Sequence, residues 1–220
     1  MSAGGRHAFA GLAATMAARL VEAFSMDDAT KSEAVASAPP PAARDSFGRA
    51  MRVTFGFEGG RSDHAADRGG RTNLGITQAT YTAFCRRRQR PTKDVYKLAH
   101  AEAEEFYRLE FWDGPGVGKL PWPFSLLAFD AGVNSGQARG VKWVQEGLRL
   151  AADGRIGSRT IAAAEAAVAD GDGEALLRCV EARARFLANL CQKNKAQIAF
   201  AEGWWIRTLT ILAHALAGDE

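Results

Sequence analysis

Cysteine is scarce in this sequence, and the pattern of the three cysteines excludes two common uses of the residue. Cys85, Cys179 and Cys191 form no cluster of the kind that holds a metal ion. Cys179 and Cys191 lie on one predicted helix, where a separation of about 18 Å along the axis is too great for a disulfide bond. We therefore expect free, mostly buried thiols in a protein that needs no oxidising compartment.

Histidine and excess charge are also scarce. The four histidines lack the spacing of metal ligands, so we expect no metal and no cofactor. They are His7, His64, His100 and His214. Lys and Arg number 28 against 25 Asp and Glu, a net charge of +3. Such a weak excess gives no indication of nucleic-acid binding, although it would favour an anionic polymer such as the cell wall.

The first 45 residues differ in composition from the rest of the chain. They are rich in Ala and Ser and end in the proline-rich run Ala38–Ala43, which is typical of a linker. Apolar residues recur at helical spacing over His7–Met26, which predicts a short amphipathic helix. Arg19 and Glu22 interrupt it, and a membrane span needs about 20 mainly apolar residues, so we expect no stable span. A cleaved signal peptide is the alternative, although only Arg6 and the Ala-rich run fit one.

From Phe47 onward, apolar residues recur at helical spacing, which predicts a mainly α fold beginning near Ser46. The first helix is expected to end at Gly59-Gly60, and Thr77 is expected to cap the second. A strand pair is expected only within the polar, glycine-rich loop Arg61–Asn73. The later predicted helices are Ala99–Trp112, Phe124–Asn134, one around Val141–Leu148, one from Ile161, Glu174–Asn194 and Gly203–Leu216.

Two carboxylic acids and a hydroxyl group follow the first predicted helix within a short, glycine-rich stretch. Glu58 stands at the helix end, where the helix dipole and the neighbouring Phe55 and Phe57 favour a protonated carboxyl group. Such a group suits a general acid. Asp67 and Thr72 follow, and hydrolysis of a glycosidic bond uses a pair of carboxyl groups. An Asp in such a loop also often serves only to cap a turn, so both interpretations stay open.

Several motifs in a fixed order resemble the signature of the glycoside hydrolase family 108 muramidases. They are Glu58-Gly59-Gly60, Asp63-His64, Asp67-Arg68-Gly69-Gly70 and Thr72-Asn73-Leu74-Gly75-Ile76-Thr77. The family includes secretion-activator proteins and phage-type endolysins. The resemblance continues through Phe129–Gly136 and Asp153–Gly157, which are similar to the peptidoglycan-binding-like region of the family, and it covers about residues 47–212.

This resemblance implies a lysozyme-like, two-lobed fold in which a small hairpin or loop carries active-site residues. Glu58 would protonate the oxygen of the β-1,4 bond between N-acetylmuramic acid and N-acetylglucosamine. Glu58, Asp67 and Thr72 are spaced like the Glu, Asp and Thr of phage-type lysozymes. Asp67 would therefore position a water or stabilise charge, with Thr72 as a hydrogen-bonding helper and Asp63 as the rival carboxylate. The stereochemical outcome depends on the distance between the two carboxyl groups, which the sequence leaves open.

Five residues are candidates for contact with the glycan, because aromatic faces and amides suit sugars and their acetamido groups. They are Asp63, His64, Tyr107, Trp112 and Asn134. The last three lie at helical spacing, where such residues more often belong to the core.

The resemblance divides the chain into an N-terminal segment, 1–45, a catalytic region, 46–128, and a helical peptidoglycan-binding-like region, 129–216, that completes the fold. The expected partner is peptidoglycan, bound by a monomer in the periplasm or outside the cell, with a holin or a secretion apparatus as a further candidate. The export route stays open, with retention in the cytoplasm until release as one of the options. Two alternatives remain: a lytic transglycosylase in which Glu58 acts alone, and a non-catalytic module that binds the wall or assists secretion.

Overall fold

Helices dominate the part of the chain that this computed structural model describes, residues 46–56 and 71–217. The predicted mainly α, lysozyme-like fold with a small hairpin is confirmed. Among the described helices, none is both long and apolar enough to cross a membrane. The elements are α1 (Ser46–Phe55), β1 (Thr72–Asn73), β2 (Ile76–Thr77), α2 (Gln78–Arg87), α3 (His100–Tyr107), α4 (Phe124–Ser135), α5 (Gln137–Gly147), α6 (Ser158–Ala169), α7 (Gly173–Lys193) and α8 (Ala201–Leu216).

Helix α1 packs one face into the core. Phe47, Ala50 and Thr54 are buried, and their spacing of three and four residues places them on the same side of a helix. The helix ends at Phe55, and a turn at Gly56 follows. The glycine pair at which the sequence predicts the helix end lies outside the described residues.

Strands β1 and β2 form a tight antiparallel hairpin in which Asn73 lies opposite Ile76. The two turn residues, Leu74 and Gly75, have φ angles of +51° and +73°, the left-handed conformation that favoured two-residue hairpin turns require. Strand β1 therefore lies within the loop 61–73 in which the sequence predicts a strand pair, whereas β2 lies beyond it, so the predicted extent is too short. The turn was hard to foresee because one of its two central residues is a leucine, which rarely adopts a positive φ.

The predicted cap at Thr77 is confirmed, and the structure shows a second cap at Asp94. The Thr77 hydroxyl accepts a hydrogen bond from the Thr80 N–H at 3.1 Å and begins α2. The Asp94 carboxylate accepts from the Tyr96 N–H at 3.0 Å and begins the 3-10 turn Val95–Lys97. Each side chain satisfies an N–H group that the first turn of a helix leaves without a backbone acceptor.

The predicted helix Ala99–Trp112 consists of two helical forms. Helix α3 covers the first part, and a π-helix, Arg108–Asp113, continues it. Within the π-helix, Trp112 lies in the core with its ring edge-on to Phe47 and Phe129, each at 5.6 Å between ring centres. Short π-helical turns are rare and occur frequently at functional sites.

Helix α4 is the central buried helix that its apolar sequence predicts. Its nine successive residues from Phe124 to Gly132 are all buried. A helix that is apolar on every side is one that neighbours surround, and α4 contacts α1, α5, α7 and α8. One acidic residue, Asp130, is enclosed in this apolar stretch and therefore needs partners.

Helices α5 and α7 approach closely at Gly147. A Cβ at this position would lie 2.1 Å from the Cys179 sulfur and 2.6 Å from the Ala175 carbonyl oxygen. Burial raises the pKa of Cys179 to about 12. Cys85 is also buried and Cys191 is half-buried, all three as free thiols, which confirms the expectation for the cysteines.

A polar turn between α5 and α6 is held together by the buried side chain of Gln145. The Gln145 amide donates to Asp153 at 2.7 Å and to the Arg155 carbonyl at 2.9 Å, and its oxygen accepts from the Gly154 N–H at 2.8 Å. Hydrogen bonds from the Arg155 N–H and from Gln145 hold the pKa of Asp153 below its ordinary value. The turn therefore has a fixed conformation.

Candidate functional site

The structure describes half of the residues that the sequence assigns to the site. Those outside the described ranges are Glu58, Asp63, His64 and Asp67. Those within them are Thr72, Tyr107, Trp112 and Asn134. The described chain also provides both flanks of the segment that carries the two predicted catalytic carboxylates, with α1 before it and β1 after it. Among residues 46–56 and 71–217, no group of His, Cys, Asp or Glu side chains could hold a metal ion.

The flank before Glu58 is fixed by aromatic contacts at both ends of α1. Near the helix start, the Phe47 ring lies edge-on to Phe129, with 5.8 Å between ring centres. At the helix end, the Phe55 ring lies edge-on to Tyr107, with 4.8 Å between ring centres and 85° between ring planes. Such pairs each contribute about 0.5–1.5 kcal/mol beyond the area they bury. Glu58 therefore follows closely after an anchored residue.

The flank after Asp67 is fixed by hydrogen bonds to the hairpin. The Asn73 side chain is buried and donates to the Val95 carbonyl at 3.0 Å. The Tyr107 hydroxyl donates to the Leu74 carbonyl at 3.0 Å. Thr72, the predicted helper, is the half-buried first residue of this hairpin. The two bonds hold the two residues that directly follow Thr72.

Tyr107 joins the two flanks. Its ring packs against Phe55 at the end of α1, and its hydroxyl donates a hydrogen bond to the hairpin turn at Leu74. The tyrosine is only 2% exposed, and the neighbouring Phe106 packs edge-on against it at 5.2 Å. Phe55, shortly before Glu58, and Leu74, shortly after Asp67, therefore contact the same buried side chain.

Tyr107 and Trp112 lie in the core, where protein groups cover their rings. Trp112 is 6% exposed, and Gly118 packs so closely that a Cβ there would lie 2.4 Å from the indole nitrogen. Neither ring offers a free face to a sugar in this arrangement. Any influence of these two residues on glycan binding would pass through the positions of α1 and the hairpin.

Asn134 is the one predicted glycan-contacting residue in the described ranges that is exposed. It lies in the last turn of α4. Its amide oxygen accepts from the Ser135 hydroxyl at 3.2 Å and from an Arg183 terminal nitrogen at 3.4 Å. The second of these donors belongs to a buried ion cluster.

This cluster, which was not predicted from the sequence, is formed by Asp130, Arg183 and Arg207. Asp130 is fully buried, and its two carboxylate oxygens lie 2.5 Å from Arg183 Nη1 and 2.8 Å from Arg207 Nε. The arginines come from α7 and α8, so the cluster ties both helices to α4. The sequence carried two signals: an acid within an apolar helix, and arginines within the last two predicted helices.

Two family models match the chain in succession. The glycosyl hydrolase 108 model matches residues 51–136, and the model of a predicted peptidoglycan domain matches residues 139–209. The first range contains Tyr107, the hairpin and Asp130, and the second contains Arg183 and Arg207. The ion cluster therefore joins residues from both matched segments.

Among solved structures, the chain is similar to SagA of Brucella abortus. The two are 33% identical, the match covers 78% of this chain and 94% of the SagA chain, and the TM-score is 0.65. The comparison with curated proteins gave no significant match. A relative this similar over nearly its whole length, together with the two family models, shows that this chain belongs to the glycosyl hydrolase 108 family.

Proposed function

We propose that the chain is an N-acetylmuramidase, which hydrolyses the β-1,4 bond between N-acetylmuramic acid and N-acetylglucosamine in peptidoglycan. Its membership of the glycosyl hydrolase 108 family and its match to a predicted peptidoglycan domain support a hydrolase function directed at peptidoglycan. The bond and the residues named in this section are our proposal. The substrate places the site of action at the cell wall.

The observation that carries the proposal is the anchoring of both flanks on Tyr107. A glycosidase must hold a general acid and a second carboxylate at a defined separation on either side of the scissile bond. Glu58 and Asp67 lie between two flanks that contact the same buried side chain. A support of this kind fits catalytic groups that must keep their geometry while substrate binds.

In the proposed reaction, Glu58 donates a proton to the leaving oxygen as the glycosidic bond breaks. Asp67 either orients the attacking water or stabilises positive charge at the anomeric carbon, and the Thr72 hydroxyl assists it. A separation of about 6.5–9.5 Å between the carboxyl groups would leave room for water and give inversion, whereas about 5–5.5 Å would give retention. Asp63 is the rival second carboxylate, and His64 is the proposed loop contact to the glycan.

We also propose that the catalytic region, 46–128, and the helical region, 129–216, work as one body. Helix α4 crosses the boundary between them. Asp130 of that helix forms ion pairs with arginines of α7 and α8. The helical region would then support the site as well as contribute to wall binding.

The proposal is tested by the release of reducing sugar from purified sacculi. Glu58→Gln should remain folded and lose about 10²–10⁴-fold in rate, the usual contribution of a general acid. Glu174→Gln is the matched control, because the Glu174 side chain is 80% exposed on α7, and its rate should equal that of the wild type. Undiminished release by Glu58→Gln would overturn the proposal. Asp67→Asn and Asp63→Asn, compared in the same assay, identify the second carboxylate by the larger loss.

A further inference from the structure

One guanidinium group connects a buried carboxylate to an exposed amide. Arg183, itself 4% exposed, places Nη1 2.5 Å from Asp130 Oδ2 and Nη2 3.4 Å from Asn134 Oδ1. Asp130 and Asn134 lie four residues apart on α4 and therefore share one face of the helix. The Arg183 side chain thus connects Asp130 in the core to Asn134 at the surface.

The contacts around Asn134 determine which way its amide points. The guanidinium of Arg183 can only donate hydrogen bonds, and the Ser135 hydroxyl donates to the same oxygen at 3.2 Å. Two donors converging on one atom require that atom to be the amide oxygen rather than the nitrogen. The NH₂ group of Asn134 is therefore the part of the amide that is left to face an acceptor outside the protein.

Arg183 is held in place by more than its own helix. The second oxygen of Asp130 accepts from Arg207 Nε at 2.8 Å, so the carboxylate is fixed by α7 and α8 together. A planar guanidinium that binds a fixed carboxylate has its remaining nitrogen in a defined direction. A lysine in its place would keep the positive charge but could not span Asp130 and Asn134 in one rigid plane.

From this geometry we infer that Arg183 is a positioning residue, which orients the Asn134 amide so that its N–H donates to the acetamido carbonyl of an N-acetyl sugar. The inference rests on the proposed function, because it assumes that the glycan passes Asn134. A neutral amide donor suits a neutral carbonyl acceptor, and peptidoglycan carries an acetamido group on its N-acetyl sugars. The predicted peptidoglycan domain would then act on the substrate through Arg183, which lies within its matched range.

The test is a double-mutant cycle measured as kcat/KM for reducing-sugar release. Asn134→Ala removes the donor and should lower kcat/KM about tenfold, the effect of one hydrogen bond. Arg183→Lys should lower it by a similar factor, mainly through KM. The double variant should be no worse than Asn134→Ala alone, since Arg183 acts through that amide. Arg185→Lys is the matched control, because Arg185 lies on the same helix with a 64% exposed side chain.

Two further arms separate positioning from loss of folding. Asn134→Asp keeps an acceptor for Arg183 but removes the N–H donor, so it should stay folded and lose about tenfold in kcat/KM. On chemically de-N-acetylated sacculi, the acetamido carbonyl is absent, so Asn134→Ala and wild type should have the same kcat/KM. Losses that multiply in the double variant, or an Asn134→Ala protein with wild-type kcat/KM, would overturn the inference. Wild-type protein without any hydrolysis would instead contradict the proposed function itself.

Discussion

Replacing Asp130 by Asn tests the strength of the buried ion cluster. Asp130 is fully buried, and its partners Arg183 and Arg207 are 4% and 6% exposed. Asparagine keeps the volume of the side chain but removes its charge, and its NH₂ group would face one of the two guanidinium groups. Removal of one partner from a buried ion pair costs about 3–5 kcal/mol, because the remaining charge is left uncompensated. We expect the free energy of unfolding to fall by about that amount.

Urea unfolding followed by circular dichroism measures this change. The midpoint should fall while the slope stays constant, since the same surface is exposed on unfolding. Asp172→Asn is the matched control. The Asp172 side chain is 38% exposed, pairs with Arg178 at 3.1 Å and caps α7 at the Ala175 N–H. Asparagine caps equally well, so only an exposed ion pair is lost, at a cost of less than about 1 kcal/mol.

An apolar version of the cluster separates charge from packing. In Asp130→Leu combined with Arg183→Met and Arg207→Met, no charge is left uncompensated. Such replacements are often neutral or stabilising by about 1–4 kcal/mol. Two results would refute the assignment of this stability to charge pairing. One is a loss of unfolding free energy in Asp130→Asn that is no larger than the loss in Asp172→Asn. The other is a triple variant that is as unstable as Asp130→Asn.

Three further changes test the site support, the core and the turn. Tyr107→Phe removes the hydroxyl bond to Leu74 and should lower the free energy of unfolding by about 1 kcal/mol, together with the rate of sacculus hydrolysis. Gly147→Ala would bring a Cβ within 2.1 Å of the Cys179 sulfur on α7. It should lower the free energy of unfolding, measured by thermal denaturation, by about 1–3 kcal/mol. Asp153→Asn removes a carboxylate whose pKa is held below its ordinary 3.8, chiefly by the Arg155 N–H. Because the folded pKa is the lower one, its contribution to stability is present above the ordinary value and lost as pH falls through the folded value. The variant should therefore lose less stability than wild type between about pH 5 and pH 2.

Each of these changes has a result that would contradict it. Unchanged hydrolysis by Tyr107→Phe, despite lower stability, would show that the hairpin position is unimportant to the site. Gly157→Ala is the control for the packing change, because a Cβ there meets nothing within 4 Å, and equal effects at both glycines would refute the overlap at Gly147. If Asp153→Asn and wild type lost equal stability as pH falls, the Asp153 carboxylate would not contribute to the pH dependence of stability.

The helices could be predicted from the sequence where their apolar pattern was long and continuous. Helix α4, predicted as Phe124–Asn134, is Phe124–Ser135, and α7, predicted as Glu174–Asn194, is Gly173–Lys193. Because α4 is buried on several sides, most of its residues are apolar, and the helix could be predicted from that run. The motifs around Glu58 likewise indicated the family before any geometry was known.

The position of the hairpin turn and the partners of Asp130 could not be predicted from the sequence, because they depend on residues far away in the chain. The turn at Leu74 is held by Tyr107, 33 residues later, and its neighbour Asn73 is held by Val95, 22 residues later. Asp130 finds its arginines 53 and 77 residues further on. Local propensity contains none of these contacts, so only the packed helices show that α1 and α8 share one core.

Mass spectrometry of the glycan ends released from purified sacculi tests hydrolysis by Glu58. We expect wild-type protein to release fragments ending in reducing N-acetylmuramic acid and Glu58→Gln to release none. Fragments ending in anhydro-muramic acid, lighter by the elements of water, would instead identify a lytic transglycosylase. Sacculi that bind the wild-type protein but gain no new ends would contradict the claim altogether.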